Sequence, residues 1–195
     1  MSAIAAVPLV WLAVSAAVLL FVAARREPFM TRRRYNTALA VFMVVVLGHW
    51  IEHAFQAIQV FVLGWDRPDA RGALGMIWPS LVQSEALHYG YAVAMLIGIA
   101  LLRPAFTGAA RTWWDLALVL QIWHHLEHLL LLSQAIAGRP FFGAAQYTSF
   151  VQLVFPRIEL HLFYNGVVFV PMLVAIYLQH FAPGRAPARA QATAP

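Results

Sequence analysis

Apolar residues run along this chain in long blocks rather than in the narrow stripe of a soluble amphipathic helix. Five blocks, near 3–24, 36–63, 80–102, 112–137 and 156–180, can each cross a hydrocarbon core of about 30 Å, which takes roughly 20 helical residues. Arginines, prolines and glycines collect between them. The pattern predicts an all-α integral membrane protein with five transmembrane helices. Residues 1–182 form a single transmembrane domain, and the Ala/Pro-rich 183–195 a disordered cytoplasmic tail. The first block lacks a basic leader and is followed at once by Arg25 and Arg26, so it reads as an uncleaved helix rather than a signal peptide.

Arginine placement orients the spans, because short basic loops stay in the cytoplasm. The first connection holds Arg25, Arg26, Arg32, Arg33 and Arg34, whereas in the second Arg67 and Arg71 are balanced by Asp66 and Asp69. Arg103 and Arg111 flank the third, and Arg185 and Arg189 lie in the tail. The expectation is an N-out, C-in, multi-pass protein of the plasma membrane.

Composition narrows the chemistry. The chain is 62% hydrophobic and 11% charged, against about 25% charged in soluble domains. Its net charge of +5 lies mostly at span ends, which excludes a soluble globule, a disordered chain and a nucleic-acid-binding domain. There is no cysteine, so thiolate nucleophiles, Cys-type metal sites and disulfides are absent, and no lysine, so no Schiff base can form.

Ionisable residues inside a span are costly and mark function by default. Every span but the first carries a cluster: Gly48-His49-Trp50-Ile51-Glu52-His53, Glu85-Ala86-Leu87-His88, His124-His125-Leu126-Glu127-His128, and Arg157-Ile158-Glu159-Leu160-His161 followed by Tyr164 and Asn165. Residues at i, i+3 and i+4 share a helix face, so His49, Glu52 and His53 point together, as do His124, Glu127 and His128. Glu85 and His88 share a face, but Glu159 and His161, two apart, do not. At 1.5 Å per residue the clusters of the second and fourth spans lie roughly 18–26 Å from their inner ends, and those of the third and fifth about 5–12 Å below the outer surface. All four therefore fall in one layer of the outer half of the membrane.

The motif His-x-x-Glu-His occurs twice, and Leu-His followed three residues on by Tyr recurs at Leu87-His88-Tyr91 and Leu160-His161-Tyr164. Helices two to five are therefore expected to form a four-helix bundle of two repeated hairpins around the His/Glu site. Imidazole with carboxylate and no sulfur suits iron, zinc, copper or manganese, and the donors are too many for one ion. Two ions, iron first and zinc or copper next, are expected on His49, Glu52, His53, Glu85, His88, His124, His125, Glu127, His128, Glu159 and His161.

Three likenesses are partial. The spacing His49-x-x-x-His53, repeated at His124 and His128, resembles one histidine box of the integral-membrane hydroxylases and desaturases, whose other boxes are missing and whose site faces the cytosol. Glu85-x-x-His88 is similar to the motif of soluble di-iron carboxylate bundles. His-x-x-Glu-His is similar to the signature of inverted zinc peptidases, which implies a Glu general base.

The leading expectation is a membrane-embedded di-metal oxidoreductase, di-iron first, acting on a lipid or other apolar substrate near the outer leaflet. Tyr91 or Tyr164 would supply a proton. Nothing resembles a nucleotide or flavin site, so electrons would come from an external donor. The alternatives are a zinc-dependent hydrolase of a lipid ester or amide, with Glu52 or Glu127 as base, and a non-catalytic haem- or metal-binding subunit of a larger complex. The blandest is a structural hydrogen-bond network.

Overall fold

The computed structural model describes residues 10, 12–17, 19–20 and 30–182. The first predicted span lies largely, and the predicted tail wholly, outside these. Among the described residues the fold is helical with no strand: α1 Arg32–Phe61, α2 Gly72–Ile77, α3 Ser80–Gln83, α4 Glu85–Leu102, α5 Gly108–Ala137 and α6 Arg157–His180, with 3-10 turns at Arg103–Ala105 and Val151–Leu153. The long helices α1, α4, α5 and α6 are four in number and apolar enough to cross a membrane.

Local chemistry sets their ends. The Thr31 hydroxyl accepts from Arg34 N–H and starts α1, and Gly138, left-handed at φ 65°, ends α5. The apolar block expected to be helical from 80 splits instead. Ser84 turns extended and its side chain accepts from Leu87 N–H, so the long helix begins at Glu85. That shift puts the first predicted turn of the span, Ser80–Gln83, into the separate helix α3.

Helix α5 packs most extensively against α6 and α4, and α1 lies chiefly against α6. One half of the bundle, at the N-termini of α1 and α5, is a plug of apolar side chains that includes Met95, Ile99, Phe106, Trp114 and Met172. Trp114 is fully buried. It stacks on Phe106 with ring centres 4.0 Å apart and donates its indole N–H to Ile99 O at 2.8 Å. Arg103 closes this end with a two-pronged ion pair to Asp115, 2.5 and 2.8 Å.

The opposite half is roofed by α2, α3 and the 138–156 connection. Two buried glutamines hold this roof. Gln59 Oε1 accepts from Gly72 N–H (2.7 Å). Gln134 accepts from Phe141 N–H (2.9 Å) and Thr148 N–H (3.2 Å), and donates to Thr148 O (2.7 Å).

Close packing of α1 on α4 depends on Gly98, where a Cβ would run into the Phe42 ring, whereas a Cβ at Gly90 would meet nothing within 4 Å. Gly98→Val should lower thermal stability in detergent by about 1–3 kcal/mol, the usual cost of overpacking. Gly90→Val should be much milder. Equal melting of the two variants would show that the α1–α4 contact does not hold the bundle.

Candidate functional site

Six histidines from four helices meet beneath the roof: His49 and His53 from α1, His88 from α4, His124 and His128 from α5, and His161 from α6. His161 sits at the middle, its ring centre 5.3 Å from His53, 5.1 Å from His128, and 6.1 Å from both His88 and His124. His124 and His128 are 4.7 Å apart and His88 and His128 6.0 Å. Rings that share one tetrahedral ion have centres about 5 Å apart, given metal–nitrogen bonds of 2.0–2.1 Å.

Hydrogen bonds fix which ring nitrogen is free. His88 Nδ1–H donates to Ser84 O (3.1 Å), and His161 Nδ1–H to Arg157 O (2.7 Å). A backbone carbonyl can only accept, so each Nε2 carries a lone pair directed away from its own helix. His53 Nδ1–H donates to Gln56 Oε1 (2.6 Å), and its Nε2 accepts from His49 Nε2–H at 3.0 Å. Two nitrogens bound to one ion lie about 2.9–3.4 Å apart, so that proton occupies the place a cation would take. Pinning one ring nitrogen to a carbonyl or amide oxygen is how ligand histidines are oriented in metal sites. His161 Nε2, His124 Nδ1 and His128 Nδ1 are buried with no hydrogen-bond partner among the described residues, an unfavourable state that a bound cation or water relieves. As they stand, no three His, Asp or Glu side chains among the described residues form a group that could hold a metal ion. The His124–His128, His128–His161 and His53–His161 separations of 4.7, 5.1 and 5.3 Å are near the spacing of rings on one ion, and the others quoted, at 6.0–6.1 Å, exceed it.

The four glutamates expected as ligands face other partners. Glu52 accepts the N–H groups of Ala73 (3.1 Å), Leu74 (3.1 Å) and Gly75 (2.9 Å), clamping the start of α2. Gly72, at φ 75°, makes room for that carboxylate, since a Cβ there would collide with it. Glu127 plays the same part for the other connection: its Oε2 accepts from Val151 N–H (3.2 Å), and its Oε1 is buried without a partner. Glu85 forms a two-pronged ion pair with Arg157, 2.5 and 2.9 Å. Glu159 pairs with Arg67, whose guanidinium it holds still more firmly protonated than usual. The physical reason is common to Glu52, Glu85 and Glu159, while Glu127 keeps a single donor. A carboxylate in an apolar layer needs several donors at once, and guanidinium or consecutive backbone N–H groups supply them where neutral imidazoles supply few.

His125 is not brought into the cluster. It projects toward Tyr89, ring centres 5.2 Å apart, with neither nitrogen hydrogen-bonded among the described residues. His180 is exposed at the end of α6. Tyr91 stacks on His49 at 3.6 Å, and its buried hydroxyl has no hydrogen-bond partner among the described residues. The Tyr164 ring lies 4.8 Å from His124, and its hydroxyl accepts from Trp123 Nε1–H at 2.6 Å. Sequence reasoning missed Gln56, Gln59, Gln134 and Arg67, and placed Arg157 in the cluster of its span without a partner. A signal existed for two of them: Gln59 and Gln134 each follow the glutamate of His-x-x-Glu-His by seven residues, two helical turns.

Glu52→Ala should free α2 at a cost of about 1–2 kcal/mol, as for loss of a helix cap. It should speed amide exchange at Ala73–Gly75 while leaving any metal bound. Loss of metal with unchanged exchange would return Glu52 to the ligand set. No protein-family model, curated protein or solved structure matches this chain, so the site is read from its own chemistry alone.

Proposed function

We propose that this chain is a membrane-embedded oxidoreductase built round two transition-metal ions held by imidazole. The observation that carries the reading is the 3.0 Å separation of His49 Nε2 and His53 Nε2 inside a cluster of six buried or half-buried histidines. One ion would lie between His49 and His53 and the other between His124 and His128, with His88 and His161 completing the sets. His125, directed away, takes no part.

With Glu52 and Glu85 committed to other donors, the set is poorer in charge than a di-iron carboxylate site. Two divalent ions would bring four positive charges into an apolar layer, and two univalent copper ions half as many. Imidazole suits copper as well as iron or zinc, so copper fits this site better than the iron expected from the sequence. Such a pair supplies one-electron chemistry toward dioxygen. Tyr91 and Tyr164 flank the rings with hydroxyls able to hold or pass a proton, and the electrons come from an external donor. Glu127 Oε1 supports the second reading, a zinc hydrolase with that oxygen as base.

The chain is read as an N-out, C-in protein of the plasma membrane with five spans and the cluster in the outer half. The apolar plug below Trp114 supports access from the roofed side and speaks against a transmembrane conduit. The matching duties of Glu52 with Gln59 and of Glu127 with Gln134, each pair anchoring the connection that follows, support two hairpins of common design. The substrate is a lipid or other apolar molecule of the outer leaflet.

Metal analysis of detergent-purified protein by inductively coupled plasma mass spectrometry should find about two copper or iron ions per chain. His53→Ala and His128→Ala should each remove at least one. Stoichiometric metal retained in both variants would sink the assignment, and zinc alone would select the hydrolase. No metal above trace in protein never exposed to chelator would leave the layer as a structural or haem-binding network.

A further inference from the structure

Two chambers meet at the histidine cluster, and their walls are opposite in character. The first, about 500 Å³, lies under the connection between α1 and α2 and is lined by the guanidinium-bearing Arg67, Arg71 and Arg157 together with His53, His88 and His161. Arg157 and Arg67 are paired with Glu85 and Glu159, while Arg71 takes part in no ion pair among the described residues. Asp66 and Asp69 belong to the same connection but do not line the chamber, nor do Glu85 and Glu159. The wall therefore presents cations and neutral rings, with the balancing carboxylates behind it.

The second chamber, about 390 Å³, opens sideways between α1, α4 and the α2–α3 roof. Val44, Leu74, Leu81 and Leu87 line it, and each exposes at least 41% of its surface, an apolar rim suited to a hydrocarbon chain. His49, Glu52, His53, His88 and Tyr91 line this chamber too, Glu52 with its carboxylate tied to the N–H groups of Ala73, Leu74 and Gly75. His53, Gln56, Val82 and His88 belong to both chambers, so one molecule reaching through their junction would have polar and apolar ends on either side of those rings.

We infer that the substrate of the proposed centre is an anionic amphiphile. Its carboxylate or phosphate head occupies the arginine chamber, its hydrocarbon chain occupies the lateral chamber, and the carbons next to the head lie against the histidines. The inference rests on the function proposed above and deepens it by naming the substrate class. A guanidinium fork recognises an oxyanion geometrically as well as by charge. Arg71, with no carboxylate of its own, is the natural first contact. A neutral lipid would leave the arginine chamber unfilled, and a small soluble anion would leave the lateral one unfilled.

The test uses the full chain in nanodiscs of zwitterionic phosphatidylcholine, with nitroxide-labelled stearate and the alcohol of the same chain length as probes. Electron paramagnetic resonance reads the immobilised fraction of each. Stearate should bind about tenfold more tightly than the alcohol, the worth of one charge-assisted hydrogen bond. Arg71→Gln should abolish the preference and Arg71→Lys should largely keep it. Leu81→Trp, which fills the lateral chamber, should weaken both probes. Equal binding of the two probes to the wild-type protein would overturn the inference. So would unchanged stearate binding in both Arg71→Gln and Leu81→Trp. Displacement of stearate by inorganic phosphate, with Leu81→Trp silent, would assign the arginine chamber to a soluble anion instead and equally overturn it.

Metal content measured on the same samples separates the two proposals. His128 lines neither chamber, so His128→Ala should lose metal and keep the stearate preference. A preference for stearate in wild-type protein without metal would overturn only the function. Metal without a preference would overturn only the substrate class.

Discussion

A polar group carried into hydrocarbon must find its partners within the protein, because no water is there to supply them. That constraint shapes the roofed half of this molecule. Four glutamates and six histidines lie among apolar helices, and their bonding follows one division of labour. Carboxylates collect the strongest donors available, which are arginine side chains and runs of backbone N–H groups. Three of the imidazoles, His53, His88 and His161, turn one nitrogen to a carbonyl or amide oxygen.

The same constraint explains the architecture around the cluster. The connections after α1 and α5 do not wander over the surface. Glutamine amides and glutamate carboxylates from the preceding helix fasten them down. The cluster is thereby covered on one side and backed by the apolar plug on the other. Two chambers remain beside it, one carrying arginine side chains and the other lined mainly by apolar ones.

Much of this was legible in the sequence. All four long helices end within about two residues of the apolar blocks, and all but α4 begin within about four, because length and hydropathy suffice to mark a span. Helical spacing placed His49 with His53 and His124 with His128, and depth along the spans brought His88 and His161 to the same level. What the sequence could not show was the competition for donors. Glu52 is on the same face as His49 and His53, yet its carboxyl is long enough to reach the start of a helix that no hydrophobic period announces. Glu85 and Arg157 are 72 residues apart, and only the packing of both α4 and α6 on α5 brings them together. His125 is the opposite case: next to His124 in sequence, it is turned about 100° from that residue by the helix and packs against Tyr89.

Much of what orients the centre comes from main-chain atoms. The carbonyls of Ser84 and Arg157 aim His88 and His161, and the amides of Ala73, Leu74 and Gly75 hold Glu52. These groups survive any side-chain replacement at their own positions. A scan of alanine substitutions would therefore register Arg157 only through its guanidinium and pass over the service its carbonyl performs. Exchanging the backbone amide for an ester at Ile158, which weakens the Arg157 carbonyl as an acceptor, would expose a layer of this site that side-chain genetics leaves dark.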